Sequence, residues 1–197
     1  RAPTCHITVG FDWLQTAAWG FCVFQSDSPA VRLFVLDFWG KGAIAVGERI
    51  AVGDKLPFFV YDTPYSAQNR FRDLLQRKSP LVLVFMANFG HPITRTFASR
   101  YANTYGSLRD GGFALVVRSR ADKLSRSIGP NTLPYPLLCD AEGVLYEHLD
   151  IPQSSSALMT YSLEGWRILR EAKRQGYQAA KGQMQQLPLT LILDKDG

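Results

Sequence analysis

The sequence predicts an α/β domain built on parallel strands, and three neighbouring features predict it. Leu81-Val82-Leu83-Val84-Phe85-Met86 is a run of six apolar residues, rich in branched aliphatics and without polar alternation, the pattern of a strand buried on both faces. Downstream, Phe97, Tyr101, Tyr105 and Leu108 recur at spacings of four, four and three, which predicts a helix. Pro92 suits the first turn of that helix, where a missing N–H costs nothing and a fixed φ helps. Gly111 and Gly112 are expected to stop it, and Phe113-Ala114-Leu115-Val116-Val117 supplies a second apolar strand. Strand, helix and strand in that order imply a right-handed crossover between parallel strands. In such folds chemistry gathers where a strand ends and a helix begins, because free amides and the positive end of the helix dipole favour an anion or a thiolate. The turn from His91 to Thr94 occupies that place.

The remaining elements follow in chain order. Ile7 to Val9, Phe21 to Phe24 and Val31 to Phe38 are short apolar runs separated by Gly20 and by Ser26-Asp27-Ser28-Pro29, which predicts a β-rich extension over 1–48 ahead of a main domain over 49–197. Tyr161, Leu163, Trp166, Ile168, Leu169 and Ala172 give an apolar face to a helix from Ser162 to about Gln175, closed by Gly176. Arg167, Arg170, Lys173 and Arg174 fall opposite that face or at the helix end, where a solvated basic side complements the dipole. Gln153-Ser154-Ser155-Ser156 and the region of Gly182 read as loops. Leu189 to Leu193 reads as a strand led by Pro188, and Asp194-Lys195-Asp196-Gly197 as a hairpin turn. A domain cut at that turn would leave an edge strand open to another segment or, in a homodimer, to a second copy.

The 197 residues suffice for one domain with a substantial core plus an appendage. Net charge is +5 and the pI about 9.2, with Lys and Arg scattered rather than striped among aromatics, so no nucleic-acid partner is expected. No apolar stretch has the length of a membrane helix and no signal-peptide order is seen, so no membrane partner is expected either. Cys5, Cys22 and Cys139 form no pair with a redox-motif spacing, and an odd count fits a reducing compartment, which makes the cytoplasm the expected location. His6 and His148 lie far from His91 with no ligand spacing, so no metal and no cofactor is expected.

Four segments together resemble a known family: Gly53-Asp54-Lys55-Leu56-Pro57-Phe58-Phe59; Phe85-Met86-Ala87-Asn88-Phe89-Gly90-His91-Pro92-Ile93-Thr94-Arg95; Leu137-Leu138-Cys139-Asp140-Ala141-Glu142-Gly143-Val144-Leu145-Tyr146; and Gln186-Leu187-Pro188-Leu189-Thr190-Leu191-Ile192-Leu193-Asp194-Lys195-Asp196-Gly197. In order and spacing they resemble the peroxiredoxin-like alkyl hydroperoxide reductase/thiol-specific antioxidant group. That resemblance implies a thioredoxin-like fold, a central mixed sheet flanked by helices, with antioxidant or oxidoreductase ancestry. It also implies a cis bond before Pro188, facing the His91 turn across a cleft for a small molecule or an extended peptide.

The departure from the family falls on its functional core. Members show a phenylalanine, a glycine and then Cys-x-x-Cys-Arg; here His91 stands at the first cysteine and Thr94 at the second. Peroxide reduction needs a thiolate that becomes a sulfenic acid and a second thiol that resolves it, and neither imidazole nor an unactivated hydroxyl runs that cycle. The titration range of His91 suits a general base, a metal ligand or a proton shuttle, but a helix N-terminus disfavours imidazolium, and a neutral, hydrogen-bonded histidine is expected. Thr94 is expected to bond the backbone of its own turn, and Arg95 either to hold an anion at the helix start or to lie solvated. Cys139 is expected to be a small buried thiol. Two functional readings stay open: a binding module with a degenerate site between His91, Arg95 and Pro188, or a thiol peroxidase or oxidoreductase working through Cys139 or a partner's thiol.

Overall fold

In the computed structural model the described residues are 33–34, 53–105, 108, 110–154, 161–178 and 185–197. Their elements run β1 (Leu33–Phe34), β2 (Val60–Thr63), β3 (Ser66–Arg70), α1 (Phe71–Arg77), β4 (Leu81–Met86), α2 (Pro92–Tyr105), β5 (Gly112–Val117), α3 (Ala121–Ser127), β6 (Leu137–Cys139), α4 (Val144–His148), β7 (Gln153–Ser154), α5 (Leu163–Arg174), β8 (Gln185–Gln186) and β9 (Leu189–Leu193). The main sheet has the order β1-β9-β4-β5-β6-β2-β3, and β7 and β8 form a small separate ladder. β4, β5 and β6 are parallel, whereas β9 and β2 run antiparallel to their neighbours β4 and β6, so the sheet is mixed. Most of the expected N-terminal extension lies outside the described residues; its Leu33–Phe34 pairs antiparallel with β9, so part of the edge expected to be open is occupied.

The apolar run at β4 does not alternate because helices cover both sides of it. Leu81, Leu83 and Phe85 enter one core with Phe71 and Leu75 of α1 and Tyr146 of α4. Val84 and Met86 enter the other with Phe97 and Ala98 of α2 and Leu124 of α3. β5 divides the same way, Ala114 and Val116 to the first core, Phe113, Leu115 and Val117 to the second. The predicted strand-helix-strand unit is therefore present, with Leu81 opposite Gly112 and Met86 opposite Val117 in parallel register.

Two local expectations are corrected. α2 ends at Tyr105, and Leu108 lies beyond it, exposed, its N–H bonded to the Tyr105 carbonyl at 3.0 Å. Three polar or small residues, Gly106, Ser107 and Asp110, stand around Leu108, and one apolar residue among them does not extend a helix. Leu163, placed on the apolar face of the later helix, is 88% exposed because it is the first residue of α5, where the periodic face has not yet met α2. The rest of α5 follows the pattern: Ser162 caps it by accepting the Gly165 N–H at 3.2 Å, Gly165 and Leu169 are buried, and Arg167, Arg170, Lys173 and Arg174 are solvated. Gly176 closes it at φ +92°, the left-handed conformation in which glycine has no side chain to strain.

Candidate functional site

The site is assembled where β4 and β5 end. Asn88 accepts the His91 N–H at 3.1 Å through its carbonyl, and the Ser119 hydroxyl accepts the Phe89 N–H at 2.8 Å, so the loop after β4 is tied to the loop after β5. Below them the buried Tyr146 hydroxyl donates to the Val116 carbonyl at 2.9 Å and also meets the Met86 carbonyl, clasping the two strand ends together. Pro92 starts α2, as its fixed φ favours, and the first turn of that helix holds no acidic residue to offset the dipole.

His91 faces α5 and the segments around it. Its Nε2 is 3.1 Å from the Tyr161 hydroxyl, the two rings stack with centroids 5.8 Å apart, and Tyr177 meets the imidazole edge-on at 6.1 Å. Trp166 in turn packs edge-on against Tyr161 at 5.8 Å. Burial pushes the histidine below its usual pKa, and burial together with neighbouring Tyr177 pushes Tyr161 up to about 12. Both groups are thus neutral near pH 7, and the hydroxyl donates to Nε2 in the tautomer that keeps the proton on Nδ1. The cover is fixed by helix packing: a Cβ on Gly165 would lie 3.3 Å from Ile93 Cδ1, and Arg100 of α2 pairs with Glu164 of α5 at 2.7 Å.

Thr94 is 1% exposed, pointing into the protein rather than the turn's surface. Its hydroxyl finds no hydrogen-bond partner among the described residues, contrary to the expected bond to its own turn. Arg95 is exposed and lines a cavity of about 460 Å³ beside the turn, together with Gly90, Arg118, Ser119, Arg120 and Lys123. Neither His91 nor Pro188 belongs to that cavity. Pro188 is exposed just ahead of β9, and its peptide bond is trans, since Ser79-Pro80 is the cis bond among the described residues. The expected cis geometry is therefore corrected: the Leu187 N–H instead bonds the Pro152 carbonyl at 3.2 Å, which holds this segment along the β7–β8 ladder.

Cys139 ends β6, paired with Val117 on one side and Asp62 on the other. It is half-buried, and burial followed by the Asp62 carboxylate pushes its thiol up to about 12. With β5 between β6 and β4, it stands roughly 10 Å from the strand that leads to His91. No group of His, Cys, Asp and Glu among the described residues could hold a metal ion, and no helix among them is long and apolar enough to cross a membrane.

Among solved structures, the peroxidoxin BcpB from Mycobacterium tuberculosis is similar to this chain, with a TM-score of 0.50 and 16% identity, covering 73% of this chain and 78% of that one. The chain has a peroxiredoxin-like thioredoxin fold. An uncharacterised conserved protein from Geobacillus kaustophilus overlaps less well, at a TM-score of 0.38 and 13% identity over 69% of this chain and 87% of that one. No family model and no curated protein matches the chain. Within the thioredoxin-like fold, the residues that sequence reasoning missed are Tyr161 and Tyr177 as partners of His91, and Arg118, Arg120 and Lys123 as neighbours of Arg95. Tyr161 had a signal as part of an amphipathic face, but which helix it would meet is a tertiary fact. Arg118 and Arg120 lie in the β5–α3 loop and Lys123 in α3, with no motif that groups them with Arg95.

Proposed function

We propose that this chain is a binding protein of peroxiredoxin-like, antioxidant-enzyme ancestry that reduces no peroxide at the His91 turn. The observation that carries the reading is the Tyr161 hydroxyl on His91 Nε2, which fills the first position of the missing thiol pair with a stacked, neutral imidazole. Burial of Thr94 supports it, because the second position faces the core. The alternative thiol is poorly placed: a pKa of about 12 leaves on the order of one Cys139 in 10⁵ ionised at pH 7, and the thiolate is the nucleophile. Its ligand enters the cavity on the Arg95 side of the turn and is a small molecule, whose size suits the volume. The cytoplasm is the compartment this reading assigns, from three cysteines without a pairing pattern.

Exposure of the chain to a single equivalent of hydrogen peroxide, followed by peptide-resolved mass spectrometry, tests the proposal. The Cys139 peptide is expected to stay unoxidised on the timescale of free cysteine. Rapid gain of one oxygen at that sulfur, or its capture in a disulfide, would overturn it.

A further inference from the structure

The cavity beside the turn is lined by four cationic side chains and by no carboxylate. They come from separate places: Arg95 from the first turn of α2, Arg118 from just after β5, Arg120 from the residue before α3, and Lys123 from within α3. Like charges gather this way at a cost, which an anion removes.

Their partners show how much of that charge is already offset. Arg120 pairs with Asp122 at 2.9 and 3.2 Å and also feels Glu142, so it is largely compensated. Arg118 is held by neutral groups: it donates to the Gln186 side-chain oxygen at 3.2 Å and the Glu142 carbonyl at 3.4 Å, and it lies over the Tyr146 ring at 5.6 Å. Arg95 and Lys123 form no ion pair among the described residues. The nearby Asp140 carboxylate accepts the N–H groups of Gly143, Val144 and Leu145. A half-buried guanidinium and two cations without an ion pair among the described residues thus line about 460 Å³ beside a helix start free of acidic residues.

We infer that this cavity binds a small organic phosphate, held by Arg95, Arg118 and Lys123. Guanidinium forks match phosphate oxygens two at a time, the lysine adds a point charge, and the Ser119 hydroxyl on the wall, whose oxygen accepts the Phe89 N–H, has its proton to donate. This inference rests on the turn being a binding site; peroxide turnover would end that reading, whereas failure of the titration below would end the ligand class alone.

Pyrophosphate is the probe, titrated calorimetrically into the full chain at low ionic strength, where surface charge is least screened. The wild type is expected to bind saturably, with Arg95→Gln/Lys123→Gln weakening the affinity by about tenfold or more. Arg167→Gln/Arg170→Gln, on the solvated face of α5, removes the same charge elsewhere and is expected to change affinity less than about twofold. Absence of saturable binding in the wild type would overturn the inference. So would equal binding by the Arg95/Lys123 variant, or equal weakening by the α5 variant, which would mark general charge attraction.

Discussion

The Tyr161 hydroxyl lies 3.1 Å from Nε2 of His91, and the two rings stack at 5.8 Å. That contact joins the residue before α2 to Tyr161, two residues ahead of α5, and it covers the turn to which the sequence resemblance assigns the missing thiol pair. A histidine there is compatible with the positive end of the helix only while it is neutral, and its burial under an aromatic cover keeps it so.

Stability is expected to depend on the protonation of His91. Its folded pKa is lowered from 6.5, so below that value the unfolded chain takes up a proton that the folded chain refuses. The contribution is fully present above pH 6.5 and is lost as pH falls from there toward the folded value. Denaturant titrations of wild type and His91→Gln at about pH 8 and about pH 5.5 check this. The wild type should lose stability relative to the variant at the lower pH; a pH-independent difference would contradict it.

Thr94→Val is expected to leave stability unchanged or raise it by up to about 1 kcal/mol. The hydroxyl is buried without a partner among the described residues, and a methyl of similar size relieves its desolvation. A loss above about 1 kcal/mol in chemical denaturation would mean that the hydroxyl is satisfied in solution.

Cys139 is expected to alkylate slowly. Moving a thiol from 9.0 to about 12 cuts its thiolate roughly a thousandfold at neutral pH. Iodoacetamide labelling of the Cys139 peptide in the native chain, against the same peptide in denaturant, measures the ratio. Equal rates would place the sulfur in solvent.

Gly143→Ala is expected to destabilise by about 1–2 kcal/mol, the cost of an L side chain in the left-handed region. Gly143 has φ +78°, and a Cβ there would come within 2.5 Å of Arg118 Nη2, so the guanidinium must also move. Thermal denaturation reads the first effect, and a shifted Arg118 side-chain resonance reads the second.

The sheet centre was legible because its strands are unbroken apolar runs: β4 matches its run residue for residue, and β5 and the start of α2 follow from Phe113 to Val117 and from Pro92. The β2–β3 hairpin was not, since Val60–Thr63 and Ser66–Arg70 sit at an exposed edge and carry no clean alternation. At the site, His91, Thr94 and Arg95 were visible by their place after a strand. Their separate fates, one under an aromatic cover, one in the core and one on a cavity, depend on side-chain directions around the first helical turn and on where α5 packs. The bond before Pro188 was inferred from resemblance alone, and the local geometry went the other way.

Whether any thiol cycle remains separates a binding protein from a working peroxidase. Steady-state peroxide consumption by the wild-type chain, supplied with a thioredoxin- or glutathione-based reducing system, measures that directly. The predicted result is a rate equal to the protein-free control, unchanged by Cys139→Ser. Turnover above that control which Cys139→Ser abolishes would contradict it, and would make the half-buried thiol at the end of β6 the working group of the protein.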